Sequence, residues 1–170
     1  MSSYPNECLR GISSSNLCFE TGLVKPELFY RFDNVGREDG FDELSITWND
    51  SDESVQIIST QKKKNSEELQ FKFGLAALRR FVLDIAKLNP QFTGILSYER
   101  KKTKGNPYHG NILLKSGVDK QKRNMIASFL AMYSKVVPRD DSLGSIKISS
   151  SDISSLFNDD DITHLKNLIR

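Results

Sequence analysis

The residues whose types and spacing could do chemistry are gathered between Phe92 and Lys115, FTGILSYERKKTKGNPYHGNILLK. This stretch carries His109, one of only two histidines, together with Glu99, Tyr98 and Tyr108. It also places four cations within five positions: Arg100, Lys101, Lys102 and Lys104. An imidazole beside a carboxylate on an adjacent strand can orient a general base or raise its pKa. The same pair is equally a structural device, worth about 0.2–1 kcal/mol across a sheet. No nucleophile accompanies it in sequence. The basic run points instead to binding, because a flexible cationic loop can reach phosphates while Tyr98 or Tyr108 at its base stacks on a nucleobase. Against this stands a plainer use of lysine at hairpin tips, where charge blocks edge-to-edge aggregation.

Other chemistries lack their signatures. There is no GxxxxGK[ST], no GxGxxG and no GxSxG, so neither a standard nucleotide loop nor a serine hydrolase elbow is expected. The acids Asp39, Asp42, Glu43, Asp50, Asp52 and Glu53 fall mostly in turns, and QIISTQKKK lacks the carboxylate a metal-dependent nuclease motif requires. Asp159, Asp160 and Asp161 are adjacent at a helix start, where the helix dipole favours them without a metal. Cys8 and Cys18 form no CxxC unit and read as reduced thiols. Neither a metal nor a cofactor is expected.

The apolar sets of the stretch define a hairpin. Phe92, Gly94, Leu96 and Tyr98 share one face of the first strand, and Tyr108, Gly110, Ile112 and Leu114 share one face of the second. These sets lie on the same side only if directly paired positions sum to an even number. A sum of about 208 leaves a five-residue loop, a common length. That register faces Glu99 with His109 and gathers Ser97, Glu99, His109 and Asn111 on a polar face.

Length and composition bound the rest. At 170 residues, with 38% hydrophobic and 27% charged, the chain suits one soluble domain spanning 1–170 with a real core. No apolar run reaches the length of a membrane span, and the N-terminus lacks the basic start and apolar block of a signal peptide. A cytoplasmic location without membrane contact is the default expectation. The net charge of +2 hides a segregation. Residues 1–60 hold 4 Lys and Arg against 11 Asp and Glu, whereas residues 61–138 hold 16 against 5. Such asymmetry means either a polyanion-binding face or two halves that pack against each other.

The elements that must position these residues follow from periodicity. Leu44, Ile46 and Trp48 alternate with polar residues as in a half-buried strand, with Trp48 as a core anchor. Val55, Ile57 and Ser59 suggest its antiparallel partner, and Leu28 to Phe32 a brief further strand. Phe71, Leu75, Leu78, Val82 and Ile85 recur at steps of four and three, predicting a helix over 67–88 with Gly74 as a costly member. A second helix is expected over 118–136, capped by Ser116, then a short strand near Ile146 and Ile148 and one or two C-terminal helices. The fold class is therefore α+β: an antiparallel sheet of four or five strands built from two hairpins, its two main helices on one face.

No family is recognised in these residues. The expected function is that of a small non-catalytic binding or accessory subunit, of bacterial type, which contacts a protein, or a nucleic acid, through its basic middle. The alternative is a small enzyme, a nucleotide- or NAD-handling transferase or a nuclease, using His109, Glu99 and Arg10. The HGN step at 109–111 and CLRGI at 8–12 share one dipeptide-scale feature each with ADP-ribosyl-transferring folds, which selects that enzyme class for comparison.

Overall fold

The computed structural model describes residues 4–18, 22–34, 36–137 and 148–168. It is α+β, built on one antiparallel sheet of six strands. The strands are β1 (Glu7–Ile12), β2 (Phe41–Trp48), β3 (Gly74–Arg79), β4 (Leu96–Arg100), β5 (His109–Lys115) and β6 (Lys135–Val137), in the spatial order β4-β5-β2-β1-β3-β6. The helices are α1 (Asp52–Ser59), α2 (Arg80–Leu88), α3 (Lys120–Met132), α4 (Ser150–Ser154) and α5 (Asp159–Leu168).

Only one of the two expected hairpins exists. Residues 55–60 are not a strand, because Ser51 and Ser54 form a capping box and Asp52 and Glu53 occupy the first turn of α1. The buried set is then Ser54, Val55, Ile58 and Ser59, a helical stripe. The helix expected over 67–88 is half strand. Leu75, Ala76, Ala77 and Leu78 are all buried because β3 lies between β1 and β6 with both faces covered, so its run is continuous and imitates a helix. Gly74, which is poor inside a helix, opens the strand with φ at +117°, and α2 begins at Arg80.

Leu28 and Phe29 lie in a 3₁₀ turn, Pro26–Phe29. Asp119, not Ser116, caps α3 by accepting from the Lys122 amide at 2.9 Å. That helix stops at Met132, and Val136 and Val137 join the sheet in β6 instead of prolonging it. Ile148 lies in no strand, and Ile146 falls outside the described residues.

Helices cover both faces of the sheet rather than one. Leu44, Ile46, Trp48, Leu78, Ile112 and Leu114 pack with α2, α3 and Leu165 of α5 in the larger core. On the opposite face Leu9, Leu75, Ala77 and Val137 meet Val55 and Ile58 of α1 and Ile153 of α4. Cys8 lies in the larger core as a free thiol, its pKa pushed up to about 12 by burial. None of the described helices is long and apolar enough to cross a membrane.

The even-parity rule holds for β4 and β5, but the ladder is two residues from the expected register. Leu96 faces Leu114, Tyr98 faces Ile112 and Glu99 faces Asn111. Beneath it, Trp48 is fully buried and donates from Nε1 to the Glu99 carbonyl at 3.2 Å. Its ring packs against Tyr4 and Tyr98 at centroid distances of 5.1 and 5.5 Å. Gly110 permits this approach: a Cβ there would stand 2.3 Å from Trp48 Nε1 and 2.4 Å from the Glu99 carbonyl oxygen. Gly110→Val should therefore destabilise the fold by about 3 kcal/mol, because neither backbone nor indole can yield. Urea unfolding followed by fluorescence of Trp48, the only tryptophan, would measure it.

Candidate functional site

Two polar sites lie along the sheet. The first is built on β2, β4 and β5. Their alternation places Glu43, Glu99 and Asn111 on one face, and Arg37 reaches over them from the turn before β2. Arg37 Nη1 donates to Glu43 Oε2 at 2.7 Å and to Glu99 Oε1 at 2.5 Å, while Nε and Nη2 donate to Asp39 at 3.1 and 2.6 Å. Asn111 Nδ2 donates to Glu99 at 2.9 Å, and Lys101 Nζ stands 3.5 Å from Glu43. Arg37 thus takes the place a metal would need between the carboxylates. No cluster of ligating side chains suited to a metal ion occurs among the described residues.

Glu99 is accordingly engaged with Arg37, not with His109. The guanidinium holds its carboxyl below the usual glutamate range, with Asn111 adding to the effect. His109 faces the backbone of Lys101: its Nδ1 lies 2.8 Å from that carbonyl, so Nδ1 carries the proton, and the Lys101 amide returns a bond to the His109 carbonyl at 2.9 Å. The imidazole Nε2 has no hydrogen-bond partner among the described residues.

The second site is a cavity of about 710 Å³ at the seam between β1 and β2. These strands pair only through Cys8 with Trp48 and Leu9 with Thr47, then diverge. Arg10 turns into the opening, where Nε donates to the Leu28 carbonyl at 3.1 Å and Nη1 to the Ser45 carbonyl at 2.7 Å. It makes no ion pair among the described residues, and burial pulls its pKa down to about 10. His109, Asn106, Arg31, Gln61 and Gln70 line the same cavity. Of the three residues a His-based catalyst would bring together, Arg10 and His109 meet there and Glu99 does not.

The binding candidates separate as well. Tyr98 is packed inward and donates from its hydroxyl to Asp84 at 2.6 Å, which removes it as a stacking surface. Tyr108 donates to Glu53 at 2.5 Å. Arg100 is held bidentately by Asp50 at 3.0 and 3.1 Å and lies over the Tyr4 ring. Lys102 and Lys104 are exposed and make no ion pair among the described residues. Arg37 was illegible in sequence, because the NVGREDG turn predicts where the chain bends and not which carboxylates its arginine will reach.

Because Glu99 has a lowered pKa, its contribution to stability is present above the ordinary value of 4.5 and is lost as pH falls through the folded-state value. Arg37→Met should lower stability at pH 7 by about 2 kcal/mol, the scale of a lost charged hydrogen-bond set, and flatten this acid loss. Unfolding curves between pH 7 and acid conditions would show whether the two slopes differ.

No protein-family model, curated protein or solved structure matches this chain.

Proposed function

We propose that this chain is a non-catalytic binding protein that contacts an acidic partner through the tip of the β4–β5 hairpin. The observation that carries the reading is the pair Lys102 and Lys104, cations exposed without an ion pair among the described residues on a loop whose shape is fixed by hydrogen bonds. Thr103 and Asn106 exchange backbone bonds at 3.1 and 3.2 Å, and the buried Asn106 side chain donates to Thr47 at 2.8 Å. A held tip loses less freedom on docking than a free one. The 61–70 loop extends the surface: Gln61 and Gln70 share a cavity with Asn106 and His109, and Lys64 is exposed without an ion pair among the described residues. An acidic protein surface fits better than single-stranded nucleic acid, since Tyr98 and Tyr108 are both engaged away from a stacking role.

The Lys102→Glu, Lys104→Glu double variant tests this reading. Wild type and variant serve as paired baits in extract from the native cells. The expected outcome is a partner retained by wild type at low salt, released as salt rises, and weakened about tenfold or more for the variant. Identical capture by both baits would remove the reading, and fluorescence anisotropy with a labelled DNA strand would show whether nucleic acid competes.

The enzyme reading keeps one favourable observation, the shared cavity of Arg10 and His109. It requires His109→Ala to abolish a transferase or nuclease turnover while leaving the unfolding midpoint unchanged.

A further inference from the structure

We infer that the cavity at the seam of the sheet binds a small organic anion, a phosphate or carboxylate head on a compact apolar body. The argument begins with Arg10. Arg10 is half-buried, and a charge drawn out of water is costly unless an opposite charge accompanies it, yet it is met by neutral carbonyls at Leu28 and Ser45. Asp33 acts on it only at a distance. Two of its three guanidinium nitrogens are engaged, and Nη2 has no hydrogen-bond partner among the described residues. Arg31 is exposed and lines the same space, again without an ion pair among the described residues. Glu27 is the one carboxylate among the lining residues, against Arg10 and Arg31. Among the lining residues, Asp33 aside, positive charge therefore exceeds negative, around a volume of about 710 Å³ that is within the usual range for small-ligand sites.

The remaining walls define the rest of the ligand. Leu28, Ile46, Ile58 and Phe71 supply an apolar lining, and the Phe71 ring lies so close over Gly11 that a Cβ at Gly11 would meet it at 2.1 Å. Asn106 and His109 provide polar groups at the hairpin end. An apolar body against the former and an anionic head toward the arginines would complete the site, with binding energy drawn from both.

Calorimetry with phenyl phosphate, benzoate, inorganic phosphate and neutral benzamide tests the inference. Phenyl phosphate or benzoate is expected to bind and raise the melting temperature, with benzamide at least about tenfold weaker because it lacks the charge. Inorganic phosphate alone should bind weakly, and the two organic anions distinguish the head group. Arg31→Gln should weaken the preferred anion about tenfold, whereas the Lys102→Glu, Lys104→Glu variant should retain its affinity, so failure here is separable from failure of tip docking. Arg10→Gln keeps a donor but removes the charge; if it folds, binding should be lost. If it does not fold, Arg31→Gln decides. Absence of binding by both organic anions at about 10 mM, or affinity unchanged in Arg31→Gln, overturns the inference.

Discussion

The two-residue ladder between β1 and β2 is the constraint on which the rest of the structure depends. It joins two three-stranded ribbons, β4-β5-β2 and β1-β3-β6, each internally paired over longer runs. So short a ladder would be a weak seam by itself. It is reinforced at one end by Asn49, whose amide and side-chain nitrogen reach the Glu7 backbone and carboxylate at 2.9 and 3.1 Å, with Ser154 of α4 donating to the same carboxylate. Glu7 and Asn49 are both buried, so these bonds satisfy groups that could not otherwise be desolvated. At the other end the strands part, and Arg10 supplies donors to the Ser45 carbonyl of β2 and to the Leu28 carbonyl of the 3₁₀ turn. The cavity follows from that parting.

Charge segregation along the chain is neutralised in part in three dimensions. Asp42 pairs with Arg123, Asp50 with Arg100 and Glu43 with Lys101, each joining the acidic first third to the basic middle. Between the two meanings of such asymmetry, packing of unlike halves thus accounts for several of the cations. Most of these pairs are partly exposed, so they contribute more to register than to stability. Other lysines of the middle, among them Lys72, Lys115 and Lys120, also keep no ion pair among the described residues, so what sets Lys102 and Lys104 apart is their place on the held hairpin tip.

The sequence made legible what strict alternation controls. Parity placed Ser97, Glu99, His109 and Asn111 on one face, and the structure keeps them there. It could not fix the register, because the tip closes through Asn106 bonding to Thr47 of another strand, a tertiary contact with no local signal. The LAAL run at 75–78 was ambiguous for a related reason: a strand covered on both faces and a buried helix turn present the same apolar continuity. Ser51 with Asp52 and Glu53 was a readable cap, outweighed by the chance alternation of Val55, Ile57 and Ser59. Arg10 and Arg37 lie at the other extreme. Each is a charged residue whose role is set by elements distant in sequence, Leu28 and Ser45 for one and Glu43 and Glu99 for the other.

Arg10 also shows how a structural role and a binding role can be told apart in one side chain. The carbonyls of Leu28 and Ser45 require donors, and any side chain presenting N–H groups at that reach would meet the requirement. They do not require charge. A neutral amide would satisfy one of them without the desolvation cost that burial imposes on a guanidinium, and would serve the seam at lower expense in free energy. Shape offers a partial reason for arginine, since its planar fork spans two carbonyls that a shorter amide reaches less well. Charge is the part left over. In a cavity whose lining also carries Arg31, that charge is what the inferred anion would engage, so the feature that burdens the fold is the one on which the proposed site rests.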